Sequence, residues 1–243
     1  MTDASWPGRV LQRHQNLARS RRFQTETALI VGPDGRKSVF KRALHQAGQA
    51  HLRRMAANHS RLQSNQAAVS ACPCTMNGEM LELAFIEGIS LKQRLIRAIL
   101  HNNHAVVEEL LEFYRHLISA FDDSTTTLLG PGGSREIFAG SVPTDADGVK
   151  SGNIDQGFDH FMQRGDQWIL IDYEWVLGFS VPRKYVLYRA AQLFFQDVPP
   201  HLSPRFRLRD MCAYYDIDAA DRTVYDQMEA SFQRFVRTDT DQT

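Results

Sequence analysis

The stretch NIDQGFDHFMQRGDQWILIDYEW, residues 153–175, decides how the rest of the sequence is interpreted. It begins with Asp155 in a polar loop and ends with Asp172 and Glu174, which follow an apolar run. Carboxylate oxygens suit hard ions such as Mg²⁺, which takes one or two protein carboxylates and completes its shell with phosphate and water. The stretch therefore predicts a Mg²⁺ site and, with it, a phosphorylated substrate.

The sequence pattern on both sides of this stretch is mainly helical. Within the stretch itself, two short strands at 158–163 and 167–172 are predicted to form a hairpin. A recurrence of apolar residues at i, i+3, i+4 and i+7 predicts a long helix between 106 and 121. Further helices are predicted before and after it, at Leu91–Leu100, from Pro182 to Gln196, and at Val224–Val236.

The N-terminal third of the sequence is predicted to be strands with one helix. The extended segments 25–31 and 37–44 flank the turn signal Gly32-Pro33-Asp34-Gly35 and predict a β-hairpin. A helix at 46–63 and a second strand pair, at 67–75 and 79–86, follow. Strand alternation places Val39 and Lys41 on one face, where a buried ammonium requires an anion.

Composition argues against a nucleic-acid-binding protein, a membrane protein and a zinc protein. The 243 residues contain 28 basic and 28 acidic side chains, so a general electrostatic grip on nucleic acid or an anionic membrane is not expected. No signal peptide or apolar run long enough for a membrane span occurs, and we expect a cytoplasmic protein. The three cysteines lack the Cys/His partners of a zinc site.

Two further segments complete the predicted organisation. Residues 1–22 carry five arginines against one aspartate and are predicted to be a solvated basic arm or a helix lying on the domain. Residues 23–88 would form an N-terminal lobe, and residues 89–243 a C-terminal lobe. The Gly/Ser/Thr/Asp/Pro-rich segment 123–152 is predicted to be a long loop.

The stretches SVFKRAL, AFIEGISLKQRL, NIDQGFDHF and WILIDYEWVLGFSVPRKYVLYRA carry a family resemblance. The chain resembles the protein-kinase-like fold in its small-molecule and sugar kinase branch. It is similar to choline and aminoglycoside kinases and, more closely, to kinase modules linked to bacterial lipopolysaccharide and capsule synthesis. The resemblance implies a two-lobed α+β fold, with an N-terminal antiparallel sheet plus helix and a mainly helical C-terminal lobe.

The resemblance also implies roles for individual residues. Lys41, with Val39 beside it, would hold the ATP phosphates, and the linker with Phe85 and Glu87 would border the adenine. Asp155 would be the base or the residue that orients the acceptor hydroxyl. Metal ligation would fall to Asp172, the principal Mg²⁺ ligand, and to Glu174. Arg183 and Arg189 would bind acceptor phosphate or form salt bridges.

Four features depart from the kinase pattern. His160 stands where the family has a metal-binding asparagine and would be a metal ligand there, although imidazole binds Mg²⁺ less well than an amide oxygen; Asp159 would substitute for it, or a single ion would bind. No Asp or Glu occurs from Phe40 to Gly78 to pair with the lysine. The glycine-rich phosphate loop is missing, and Asn153 replaces the histidine that leads the catalytic loop.

Three functions follow from these observations. The favoured one is an enzyme: an Mg²⁺-ATP-dependent phosphotransferase acting on a hydroxyl, on a saccharide of a bacterial surface glycan or another small acceptor. The second is a nucleotide-binding pseudokinase or scaffold that regulates a glycan-biosynthesis protein partner. The third, a glycan-binding module without nucleotide chemistry, would leave the lysine and the acids without a purpose.

Overall fold

The structure, a computed structural model, describes residues 6–64, 66–122, 133–138, 148–198, 202 and 206–238. Within them the strands are β1 Arg9–Gln15, β2 Thr25–Val31, β3 Lys37–Ala43, β4 Gln63–Ser64, β5 Val69–Ala71, β6 Cys74–Asn77, β7 Met80–Ala84, β8 Ile89–Ser90, β9 Phe121–Asp122, β10 Gly148–Val149, β11 Phe161–Arg164, β12 Gln167–Leu170 and β13 Val181–Pro182. The helices are α1 Gln49–Arg61, α2 Leu91–Leu100, α3 His104–Leu117, α4 Gly133–Phe138, α5 Arg183–Asp197, α6 Leu208–Tyr214 and α7 Ala219–Arg237.

Contacts within the chain define two units. Among the described residues, the first unit comprises 6–60, 72–86 and 234–238, and the second comprises those of 61–71 and 87–233. Both units are therefore discontinuous in sequence, whereas we predicted continuous lobes at 23–88 and 89–243. None of the described helices has both the length and the apolar character that crossing a bilayer requires.

The first unit is built on a five-stranded antiparallel sheet in the order β1-β2-β3-β7-β6. The predicted hairpin is confirmed, because β2 and β3 pair along their whole length. Gly35 has a φ of 79° in the turn between them, a conformation that costs a glycine little. One face of the sheet buries Ala28, Ile30 and Phe40, against which Trp6 and Met80 pack.

Two predictions for the N-terminal third are wrong. Residues 9–15 are not an arm or a helix but strand β1, which pairs antiparallel with β2. All seven of its side chains are exposed, so it lacks the alternation by which a half-buried strand is detected. The strand predicted at 67–75 is two strands in different sheets, β5 and β6, interrupted at Pro73, which has no N–H to donate to a ladder.

The second unit contains a four-stranded sheet in the order β5-β12-β11-β8 and most of the helices. The predicted hairpin is confirmed as β11 and β12, which pair antiparallel around Gly165. Helix α2 begins with a capping box between Ser90 and Gln93, and Pro182 precedes the first turn of α5. Large buried side chains fill the interior of this unit, among them Tyr114, Phe161, Tyr185 and Phe194.

Together these elements confirm the predicted α+β class, with an N-terminal antiparallel sheet and a C-terminal part that is mainly helical with a short hairpin. The loop predicted at 123–152 lies outside the described residues, apart from α4 and residues 148–152. Residues 1–5 of the predicted arm also lie outside them.

Candidate functional site

Three acidic side chains of the second unit form a cluster. Asp155, Asp172 and Glu174 each offer a carboxylate oxygen, and these oxygens all lie within 4.8 Å of one another. Asp155 and Glu174 are buried, and Asp172 is half-buried. Oxygens bound to one Mg²⁺ at about 2.1 Å can be no more than about 4.2 Å apart. The cluster therefore needs at most a small contraction to bind one ion.

The loop that carries Asp155 is fastened to the segment that carries Glu174. The backbone N–H of Ile154 donates to the Trp175 carbonyl at 3.0 Å, next to an isolated bridge between Asn153 and Val176. The Asn153 side-chain oxygen accepts the Asp155 N–H at 2.9 Å, which forms an Asx turn. The two ends of the stretch at 153–175 are thus held side by side by backbone hydrogen bonds.

Each carboxylate oxygen of Asp155 has its own partner. Oδ2 accepts the backbone N–H of Trp175 at 2.9 Å. Oδ1 lies 3.8 Å from Nη1 of Arg189, a buried residue of α5. Of the two alternatives for Arg189, the structure shows the salt bridge, since its Nε also donates to Glu229 Oε2 at 3.1 Å.

The environment of Asp155 makes its ionised form less stable than that of an aspartate in water when no cation is present. Burial and the neighbouring charge of Asp172, together with that of Glu174, raise the pKa of Asp155 to about 6, although Arg189 acts in the opposite direction. A divalent cation would remove the repulsion among the three acids. The donor chemistry and the electrostatics of the cluster both fit Mg²⁺.

The structure places His160 and Asp159 outside the three-acid cluster. The Nδ1–H of His160 donates to the backbone carbonyl of Asp155, and Nε2 lies 3.8 Å from Asp159 Oδ1. Asp159 in turn lies 3.8 Å from the ammonium of Lys92. Burial lowers the pKa of His160, but the charges of Asp172, Asp159 and Asp155 outweigh burial, so the pKa is raised. The ring thus helps to hold the Asp155 loop, and metal ligation by either residue stays a prediction.

The predicted nucleotide-binding residues lie mainly in the first unit. Lys41 is buried in β3 between Thr27 of β2 and Leu81 of β7. Val39 lies two residues earlier in the same strand, so the predicted shared face is confirmed. The ring of Phe85 lies 5.1 Å from the ammonium of Lys37. Glu87 is exposed and is the first residue of the longer segment of the second unit, 87–233. Convergence of Lys41 with the acid cluster stays a prediction.

The sequence analysis missed Glu229 and left the role of Arg189 open. Arg189 is flanked by apolar residues in α5, and Glu229 lies on the face of α7 that also carries Tyr225 and Phe232. A charged residue on an apolar helix face requires a partner, and each of these two residues signals such a need. Nothing in the local pattern shows, however, that the two belong together.

A cavity of about 510 Å³ lies between α2 and α3 of the second unit. Its lining includes Arg94, Arg97, His101 and Glu109, and it contains none of the acids of the cluster. The cavity is therefore separate from the candidate metal site.

Neither a protein family nor a curated protein matches the chain by sequence. Two solved structures show a weak similarity. An ethanolamine kinase from Plasmodium vivax is 9% identical, with 97% of this chain and 74% of that chain covered at a TM-score of 0.39. A macrolide 2′-phosphotransferase from Brachybacterium faecium is 10% identical, with 95% and 94% covered at a TM-score of 0.32. At these scores neither similarity assigns a fold or an activity to this chain.

Proposed function

We propose that the chain is an Mg²⁺-ATP-dependent phosphotransferase with a protein-kinase-like fold that acts on a hydroxyl acceptor. The observation that carries the proposal is the cluster of Asp155, Asp172 and Glu174, with three carboxylate oxygens within 4.8 Å. Three acids brought together at a largely buried position repel one another, and a bound cation offsets that cost. Phosphoryl transfer needs such a cation to neutralise phosphate charge.

The residues take the following roles in this proposal. Asp172 and Glu174 would hold Mg²⁺, which supplies charge neutralisation to the phosphates when bound. Asp155 orients the acceptor hydroxyl and takes its proton as a general base. Lys41 holds phosphate oxygens, and Val39, Phe85 and Glu87 border the nucleotide. Asp159 and His160 would complete the metal shell.

The acceptor is proposed from the resemblance of the sequence to kinase modules of lipopolysaccharide and capsule synthesis. It would be a saccharide of a bacterial surface glycan. This assignment is an analogy at the level of the family and does not follow from the geometry of the site.

A second candidate function is a nucleotide-binding pseudokinase that regulates a glycan-biosynthesis partner. The observation in its favour is His160, which stands at the position of a metal-binding amide and uses Nδ1 to hold the Asp155 carbonyl. Helix α1 also contains no acid that could pair with Lys41. Both features would weaken catalysis more than nucleotide binding.

The proposal is tested by thermal unfolding with and without Mg²⁺-ATP. Mg²⁺-ATP should raise the melting temperature of the wild-type protein, and Asp172→Asn should abolish the Mg²⁺-dependent part of the increase. Asp166→Asn is the matched control, because Asp166 is an exposed acid in the turn of the same hairpin. If neither nucleotide nor Mg²⁺ changes the melting temperature of the wild-type protein, both nucleotide-dependent functions are wrong.

Turnover then separates the two candidates. An enzyme should transfer phosphate to at least one sugar of a panel and lose this activity in Asp155→Asn. A pseudokinase should bind Mg²⁺-ATP without turnover. His160→Asn should increase turnover if the histidine limits the activity.

A further inference from the structure

Arg189 is a buried cation with two different kinds of partner. Its side chain is only 9% exposed. On one side, Nε donates to Glu229 Oε2 of α7 at 3.1 Å. On the other side, Nη1 donates to the Ile154 carbonyl at 2.9 Å and lies 3.8 Å from Asp155 Oδ1. The guanidinium thus connects the C-terminal helix to the loop that carries Asp155.

Arg189 and the backbone N–H of Trp175 contact different oxygens of the Asp155 carboxylate. The Trp175 N–H binds Oδ2 and Arg189 faces Oδ1, so rotation of the carboxylate would break one contact or the other. Helix α7 supports both partners. Phe232 lies 5.3 Å below the Arg189 guanidinium, and its ring meets the Trp175 ring edge to face at 5.1 Å.

Glu229 is in turn fixed by neighbours other than Arg189. The Tyr185 hydroxyl donates to Glu229 Oε2 at 3.0 Å, and Gln233 donates to Oε1 at 2.8 Å. The anchor of Arg189 is therefore itself held in place. Arg189 meets its anchor and the Asp155 loop through different nitrogens, which a planar guanidinium can do and a lysine ammonium cannot.

A second ion pair between α5 and α7 shows what a purely structural contact looks like here. Lys184 of α5 lies 3.0 Å from Asp221 of α7 and donates to the Asp216 carbonyl at 2.6 Å. None of these partners belongs to the Asp155 loop. If Arg189 served only to join the helices, it would not need contacts to Ile154 and Asp155.

We propose that Arg189, anchored by Glu229, is a positioning residue that fixes the Asp155 carboxylate for catalysis. This inference rests on the proposed function. Without the guanidinium, the Trp175 N–H is the one remaining hydrogen-bond partner of the Asp155 carboxylate among the described residues, and Asp172 and Glu174 repel that carboxylate. A displaced base slows the chemical step by about 100-fold when it moves by about 1 Å. The nucleotide would still bind, because Arg189 contacts none of its proposed ligands.

The test compares Arg189→Ala with Lys184→Ala in the full chain. We expect Arg189→Ala to lower kcat by about 30- to 100-fold while the KM for Mg²⁺-ATP changes by less than about threefold. Added guanidinium should restore at least about a tenth of the lost kcat, whereas equimolar NaCl and urea should not. Lys184→Ala should keep kcat. Equal losses in both variants, or a folded Arg189→Ala protein with wild-type kcat, would overturn the inference.

A second readout does not depend on activity and so separates this inference from the proposed function. The chain has three tryptophans, so labelling them with ¹⁵N gives three backbone amide signals. Exchange of the Trp175 amide with D₂O should become at least about tenfold faster in Arg189→Ala than in Lys184→Ala, because its acceptor moves. If the wild-type protein has no turnover, the proposed function fails, and this amide alone decides the inference. Equal protection in the two variants would overturn it.

If Arg189→Ala does not fold, the variant Arg189→Met with Glu229→Gln replaces it. This pair of changes removes the charge of the Glu229 anchor together with that of Arg189 and keeps an acceptor for the Tyr185 hydroxyl. The expected loss of kcat and the faster exchange of the Trp175 amide are the same. Wild-type values for both in this variant would contradict the positioning role.

Discussion

Replacing Asp155 with asparagine should stabilise the metal-free protein at neutral pH and have a smaller effect in acid. Asparagine has nearly the same shape, and its amide oxygen can still accept the Trp175 N–H that Asp155 binds at 2.9 Å. It removes a buried negative charge that lies beside Asp172 and Glu174. In a buried site without a cation, that charge costs free energy of folding.

The size of the effect follows from the pKa of Asp155. Burial, followed by the charge of Asp172, raises this pKa from 3.8 to about 6. Each pKa unit corresponds to about 1.4 kcal/mol, so the ionised carboxylate destabilises the folded protein by about 3 kcal/mol above pH 6. The attraction of Arg189 is already included in this pKa, and the exchange of a neutral carboxyl for an amide adds an offset that does not depend on pH. The pH dependence is therefore the quantity to measure.

The direction of the pH dependence is fixed by the order of the two pKa values. Below the unfolded pKa, near 3.8, Asp155 is protonated in both states and contributes no difference. As the pH rises towards about 6, the unfolded chain releases its proton while the folded protein retains it, so wild-type stability falls. Above about 6 the difference is constant. Asp155→Asn does not undergo this loss, so its advantage grows with pH.

Urea unfolding in EDTA between about pH 4.5 and pH 8 measures this advantage. Over that interval, the free energy of unfolding of Asp155→Asn should increase relative to wild type by about 2 kcal/mol. Asp218→Asn is a control that should not show this rise, because backbone N–H groups in the first turn of α7, above all that of Asp221, lower the pKa of Asp218 and place its titration below this pH interval. If the free energy of unfolding of Asp155→Asn relative to wild type changes by less than about 0.5 kcal/mol over this interval, the neighbouring acids and burial do not raise the pKa of Asp155 as argued.

Two further variants, measured by urea unfolding, test the backbone that leads into the Asp155 loop and an ion pair of the N-terminal sheet. Gly152→Ala should destabilise the protein by about 3 kcal/mol or more, because φ is 60° and a Cβ would lie 2.3 Å from the Leu177 carbonyl oxygen. Gly165→Ala is the control and should cost only about 1 kcal/mol, because its φ of 61° is similar but no atom lies within 4 Å of the added Cβ. Equal losses in the two variants would contradict the clash. Arg42→Met should lower the free energy of unfolding by about 3 kcal/mol, because it leaves the fully buried Glu26 without the guanidinium that lies 2.6 Å away. Adding Glu26→Leu should recover most of this loss. An Arg42→Met protein as stable as wild type would show that the ion pair does not stabilise the fold.

Much of the fold was predictable because its signals are local. The β2–β3 hairpin has its turn residues between two extended segments, and the helices α2, α3, α5 and α7 show apolar periodicity or a capping residue. The failures have a physical cause as well. Strand β1 is exposed on both faces, and the parallel pairing of β5 with β12 joins residues about 100 positions apart. Helix α6 was not predicted, since its seven residues are too few for a clear period.

The acids of the candidate site could be found in the sequence, but their support could not. Asp155 and Asp172 stand at the two ends of a predicted hairpin, so their approach follows from local chain geometry. Arg189 and Glu229 are 40 residues apart on helices whose packing no local pattern specifies. Each residue carries the signal of a buried charge, and only the three-dimensional structure pairs the two.

The position of Arg189 resolves a conflict within the site. Asp155 lies close to Asp172 and Glu174, the proposed cation ligands, yet this closeness and its burial make the ionised carboxylate less stable. Arg189 counteracts both effects and lowers the pKa of Asp155 from the opposite side. Its own charge is balanced by Glu229 at 3.1 Å, so it remains buried without loss of its proton. The same guanidinium thus orients the carboxylate and helps to keep it ionised, and a neutral donor at this position could do only the first.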